Sequence, residues 1–212
     1  MAGKAETSKR IVDRALALAA DRPWRDISLG DIAEAAAVGL PELHKHYGSK
    51  TAILVAFIER IDGEVLAGSE AARNACDPEK TPRDRLFDVL MRRLEALSPH
   101  KAGVKSVARS LSSDPLSLSC LMPCYARSMA WMLEAAGIGG SGVRGRLRAR
   151  GLGLVYLSAV RAWFRDDQAD MAKTIAALDR ALDRADSLVK SAPFINCVGA
   201  PERPENWAEP TG

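Results

Sequence analysis

The chain has 212 residues, 47% hydrophobic, 27% charged and 5% aromatic, with a formal net charge of +3. That balance fits a globular protein of one or two closely packed units. No apolar run reaches the roughly 18 to 20 residues of a bilayer span, and the opening MAGKAETSKR holds no secretion signal, so a cytoplasmic protein without a stable membrane anchor is expected. Cys76, Cys120, Cys124 and Cys197 are then expected as reduced, buried small hydrophobes.

Ile11, Ala15 and Leu18 form the stripe of a first helix, bounded by Pro23. Ser28 is an N-cap with Asp31 in the first turn, and Leu29, Ile32, Ala33 and Ala36 make the apolar face behind it. After Val38-Gly39 a short helix carries Leu43 and Tyr47 four apart, and Gly48-Ser49 breaks and recaps the chain. The next helix places Ile53, Leu54, Phe57, Ile58, Ile61 and Val65 on one side. NACDPEKTP, residues 74–82, reads as a connection. Beyond it, Leu86, Phe87, Leu90, Met91, Leu94 and Leu97 mark a helix stopped by Pro99, and Val104, Val107, Ala108 and Leu111 another that ends near Asp114-Pro115.

The stretch from Leu116 to Ala136 contains Pro123, which predicts a kink or a division into two helices. GIGGSG breaks the chain, and two final helices follow, over roughly residues 143–164 and 168–189, the second capped by Asp166 or Asp167. Residues 193–212, with four prolines, read as an irregular tail. No segment alternates as a strand does. The expected fold is all-α, about nine helices: a three-helix head over 1–65, a helical bundle over 66–192, and the tail.

Charge is unevenly placed. Residues 1–65 carry 9 basic and 10 acidic groups, whereas residues 101–165 carry 10 basic and 2 acidic. The basic stretch is therefore not the helix-turn-helix, which argues against tight phosphate-driven binding by the head.

The segment SLGDIAEAAAVGLPELHKHYGSKTAILVAF resembles the TetR family of bacterial repressors, through Ser28, Ile32, Ala33, Ala36, Val38, Leu43, His46, Tyr47, Ser49, Lys50 and Leu54. The resemblance covers roughly residues 8–65. Small Ala33 and Ala36 let the two short helices cross closely, Val38 and Leu43 bury the turn, and Tyr47 closes the head. The resemblance implies that the outward face of the second helix enters the major groove of double-stranded DNA. Ser28, Gly39, Leu40, Pro41, Glu42, His44, Lys45, His46 and Lys50 are the candidate contacts, with Lys50 implied on a phosphate. The sequence departs from the family at Ala37, where glycine is usual, at Gly39 in place of a capping serine, and at His44 in place of an aromatic phosphate contact. The base-reading positions hold Leu40, Pro41 and Glu42. Pro41 suits a first helical turn. Glu42 can accept from a cytosine amino group but repels phosphates.

The family further implies a homodimer, whose two reading helices reach grooves one turn apart, and an effector that releases DNA by shifting between two arrangements. Candidate pocket residues are Phe87, Leu90, Met91, Leu94, Met122, Tyr125, Met129, Trp131 and Trp163. They fit an apolar or amphipathic small molecule, although a methionine and aromatic stripe also describes plain core. Stripes of Leu152, Tyr156, Ala159 and Trp163, and of Met171, Ile175, Leu178, Leu182, Ala185 and Val189, read equally as protomer core or as dimer interface. From them Leu152, Tyr156, Ala159, Ile175, Leu178 and Leu182 are the interface candidates. The run VRGRLRARG suits a solvated helix start or an anion site.

A second resemblance, to the TetR-fold lipid-binding proteins of ubiquinone biosynthesis, rests on Leu154, Tyr156, Asp166, Asp170, Thr174, Leu178, Asp179, Arg180 and Leu182. It implies an alternative to a one-component transcriptional repressor: a lipid or isoprenoid carrier that does not read DNA. No catalytic constellation stands out. Cys120 and Cys124 have no histidine nearby, His44 and His46 point apart on their helix, and no strand precedes a glycine-rich phosphate loop, so neither a metal, a cofactor nor an enzymatic activity is expected.

Overall fold

The structure is a computed structural model that describes residues 2–74, 80–168 and 170–191. Among these residues every regular element is helical. Helix α1 (Ala2–Asp21) buries Ile11, Val12, Ala15, Leu16 and Ala19, while Leu18 is half-buried, so its core stripe is wider than the one read from spacing alone. A short 3₁₀ turn at Trp24–Asp26 tucks Trp24 inside. Helices α2 (Leu29–Ala35) and α3 (Leu40–His46) form the helix-turn-helix. Helix α4 (Lys50–Asn74) then runs unbroken through residue 65 and packs on α1 of the head.

The body consists of α5 (Pro82–Leu97), a 3₁₀ turn at Ser98–His100, α6 (Lys101–Ser112), α7 (Pro115–Ala135), α8 (Gly142–Trp163) and α9 (Ala172–Ser191). The starts are set by side-chain caps. Thr81 and Asp84 form a capping box with Pro82 in the first turn, and Asp114 accepts from the Ser117 amide with Pro115 behind it. The capping box was readable as Thr-Pro-Arg-Asp in the sequence, yet the start of α5 was not assigned from it.

Pro123 does not divide α7, which continues through it to Ala135. Proline removes one backbone donor, but of residues 115–123 only Leu121 is buried, and Ser119, four positions before Pro123, is exposed, so the freed carbonyl meets water. Helix α9 starts at Ala172, later than its spacing predicted, and Met171 just before it has φ +52. Neither Asp166 nor Asp167 sits at the helix start, but Asp166 reaches the first turn of α9 from a distance: its carboxylate accepts from the Thr174 amide at 2.9 Å and from its hydroxyl at 2.8 Å.

A contiguous core joins head and body, from Ile11 and Ile32 through Leu90 and Met129 to Trp163 and Leu182. Helix α1 crosses α6 so closely that a Cβ at Gly103 would run into the Leu16 carbonyl. Arg83 ties α5 to α9 by ion pairs with Asp179 and Asp183, each 2.6 Å. Cys124 is buried and burial pushes its thiol pKa up, but Cys120 is exposed, against expectation, because it lies on the solvent side of α7. Cys76, Cys197, the interior of the 74–82 connection and the tail lie outside the described residues. Among the described residues no helix is long and apolar enough to cross a membrane.

Candidate nucleic-acid interface and the interior behind it

The reading surface is built by three local devices. Ser28 caps α2 through a reciprocal box: its hydroxyl accepts from the Asp31 amide at 3.0 Å, and Asp31 accepts from the Ser28 amide at 2.7 Å. Those Ser28 bonds, helped by Arg22 at 3.0 Å, hold the Asp31 carboxyl below its ordinary pKa. The turn is closed by the Val38 amide donating to the Ala33 carbonyl at 3.0 Å and the Ala37 amide to Glu34 at 3.0 Å. This forces Ala37 to φ +49, the left-handed region that favours glycine. Gly39 then starts α3 with extended backbone and no side-chain cap.

Helix α3 buries one residue, Leu43, and the following Tyr47 anchors its end, with its hydroxyl 2.5 Å from the Ser8 hydroxyl of α1. Leu40, Pro41, Glu42, His44 and Lys45 are exposed together on the outward side, and His46 is half-buried beside the Tyr47 ring. Ser28 and Gly39 are exposed at the two helix starts. Glu42 lies in the first turn of α3 while His44, Lys45 and His46 occupy the last. Lys50 faces elsewhere. Its amine donates to the Trp24 and Ile27 carbonyls, both at 2.6 Å, and sits 4.8 Å from the Trp24 ring centre. Burial lowers its pKa against the pull of Asp26 and Asp31. Lys50 is thus a brace that pins the start of α4 to the turn before α2, a role that sequence spacing did not reveal.

The pocket candidates divide. Leu90, Met91, Leu94, Met129 and Trp163 are buried in the body, and Phe87 and Tyr125 are half-buried, with the Tyr125 hydroxyl donating to the Gly153 carbonyl at 2.8 Å. Met122 and Trp131 are 47% and 51% exposed on the outer side of α7, so they share no interior with the others. The interface candidates divide as well. Leu152, Tyr156, Ala159, Leu178 and Leu182 are protomer core; Ile175 is exposed. The exposed large apolar side chains of the last two helices are instead Val143, Leu147, Leu154 and Leu157 on α8 and Ile175 and Leu188 on α9. Helix α8 is apolar on two sides, and periodicity alone does not say which points inward. Small residues do: Gly145, Ala149, Gly153 and Ala159 line the buried side, where neighbouring backbones approach.

Of the arginine run, Arg146, Arg148 and Arg150 are exposed, and Arg148 donates to the Ile138 carbonyl at 3.1 Å. The residues shared with the lipid-binding proteins have local structural roles: Asp166 and Asp170 accept from the first turn of α9, and Asp179 pairs with Arg83. A cleft of about 300 Å³ at the junction of α1 and α6 is lined by Asp13, Arg14, Leu16, Ala17, Ala20, Pro99, His100, Ala102 and Gly103, none of them a predicted effector residue. Also missed was a buried charge pair, Arg93 with Asp62, joined by the Ser128 hydroxyl at 2.8 Å. In sequence Arg92-Arg93 looks like solvent face; only the neighbouring buried positions hint otherwise.

Residues 11–57 match the family model described as bacterial regulatory proteins, tetR family. Among solved structures the chain is similar to the TetR transcriptional regulator from Nitrosomonas europaea, at 26% identity, covering 85% of this chain and 98% of that one with a TM-score of 0.66. A TetR transcriptional regulator from Rhodococcus sp. RHA1 follows at 20% identity, 85% and 96% coverage and a TM-score of 0.58. A tetR-family regulator from Streptomyces coelicolor has 15% identity, 91% and 86% coverage and a TM-score of 0.57. The last two speak for the fold alone. No protein of curated function matches the sequence.

Proposed function

We propose that this chain, which has a TetR-like fold and a head matched by the TetR-family model, is a cytoplasmic one-component transcriptional repressor that grips operator DNA as a homodimer and lets go when an apolar effector enters its body. The observation that carries the reading is the outward side of α3: Leu40, Pro41, Glu42, His44 and Lys45 contact solvent while Leu43 alone holds the helix down. A helix held in this way is free to enter a major groove. Domain roles follow the elements, with residues 1–65 reading DNA and 66–192 holding the effector and the second subunit. The exposed Leu147, Leu154, Leu157 and Ile175 are the proposed dimer contacts, in place of the buried stripe. Two heads are needed because one uncapped, partly acidic reading helix makes too few phosphate contacts to hold an operator alone.

Titration of the protein with the DNA upstream of its own coding sequence, at several salt concentrations, tests this. The affinity should fall steeply with salt and exceed that for unrelated DNA. Lys45→Ala should weaken binding to every sequence and lower the salt slope by about 2, since one phosphate contact is lost from each head of the dimer. Absence of any DNA complex, together with lipid carried through purification, would favour the carrier instead.

A further inference from the structure

Four helices bring polar side chains to one buried point: Asp62 from α4, Arg93 from α5, Ser128 from α7 and Tyr156 from α8. Arg93 Nη1 and the Ser128 hydroxyl donate to the same Asp62 oxygen. The guanidinium lies 5.6 Å from the centre of the Tyr156 ring. Charge is balanced there, since Asp62 neutralises Arg93, but hydrogen bonding is not. Arg93 Nε–H and the Tyr156 O–H have no acceptor, although their residues are only 3% and 4% exposed; the guanidinium and the phenol lie close enough to act on each other, which leaves both of these protons unmatched. Folded proteins rarely leave buried donors empty; water or a ligand completes them. The surrounding core is apolar and includes Met129 and Met132, whose side chains repack readily around a guest.

We propose that this point is the polar anchor of the effector site, where an apolar molecule bearing one uncharged carbonyl (a ketone, ester or amide) places its oxygen between Arg93 Nε and the Tyr156 hydroxyl. The inference rests on the regulator reading and names the effector's chemical class. The acceptor is uncharged because an anion would add an unmatched charge to an interior already neutral. The Met122 and Trp131 side chains take no part.

Three probes of similar shape test it on the full chain: acetophenone, ethylbenzene and benzoate, titrated by calorimetry into the wild type and Tyr156→Phe. Acetophenone should bind wild type at least ten-fold more tightly than ethylbenzene, ten-fold being about the value of one added hydrogen bond to a charged or buried donor, and benzoate should not compete. Tyr156→Phe should narrow that preference without abolishing it, because Arg93 Nε still donates, while binding ethylbenzene as before. Equal binding of acetophenone and ethylbenzene, binding of neither, or a preference for benzoate overturns the proposal. Operator binding measured in parallel separates the two readings. A sequence-preferring DNA complex without the ketone preference removes the anchor alone, and a ketone preference without any DNA complex removes the repressor alone.

Discussion

At Ala37 the turn between the two reading elements demands a left-handed backbone from a residue with a Cβ, at φ +49. An L-residue there costs about 1–2 kcal/mol, whereas glycine costs little in the fold but loses more freedom on folding, about 0.4–1 kcal/mol. Ala37→Gly should therefore raise stability by roughly 0.5–1 kcal/mol in chemical denaturation, with no change in the denaturant slope. A fall in stability would mean that the turn is not held in this geometry. Single residues also show where reading ahead from sequence stops. Ser28, Leu43 and Tyr47 have the roles their spacing predicts, because capping and burial of a short helix are decided within a few residues. Lys50 does not disclose its role that way. Its partners are the carbonyls of Trp24 and Ile27, more than twenty positions back, and no local pattern encodes that meeting.

Elements depend on how neighbours approach. Gly103 sits where α6 meets the backbone of α1, and a methyl there would collide with the Leu16 carbonyl rather than with a movable side chain. Gly103→Ala should accordingly separate the two helices and cost about 1–3 kcal/mol, the usual range for forcing volume into a packed contact, read as a lower denaturation midpoint. A variant as stable as wild type would refute the close crossing. Because this crossing joins head to body, the same variant should also change the affinity for DNA. The continuity of α7 through Pro123 belongs to this scale too: an exposed stretch of helix tolerates a missing hydrogen bond that a packed one would not.

For the whole molecule the proposed second subunit matters most. Leu154 is 73% exposed and Leu152 is 5% exposed, two positions apart on α8. Leu154→Glu should leave the protomer folded by circular dichroism yet shift sedimentation from dimer to monomer; Leu152→Glu should instead unfold it, since it buries a charge without a partner. Retention of the dimer in Leu154→Glu would move the interface elsewhere.

Acid should also loosen the head from the body. His100 lies at their junction, with its Nε2 3.4 Å from the Arg60 guanidinium of α4 and its ring edge-on to Phe57 at 5.4 Å. Burial and Arg60 depress its pKa from the usual 6.5, outweighing Asp13 of α1 and Glu64 of α4. The unfolded chain thus takes up this proton at a higher pH than the folded one. The contribution is full above pH 6.5 and is lost as pH falls below that value toward the folded pKa. His100→Asn should flatten the stability profile in that window, and an unchanged slope would assign the effect to other groups.

The helical period, the caps and the turn residues settled the all-α class, the helix-turn-helix and most helix bounds from sequence alone, because these signals act over three or four residues. The stripes of α8 and α9 were visible too, but not their direction. A helix apolar on two sides satisfies the same periodicity whichever side turns inward, and only packing against its neighbours α5, α7 and α9 chose Leu152, Tyr156 and Ala159 for the core. The Asp62–Arg93 pair was hidden for the related reason that charge on an amphipathic helix normally faces water, and it is the convergence of four helices that makes its burial tolerable. Contacts between residues distant in the chain decided what local pattern left open.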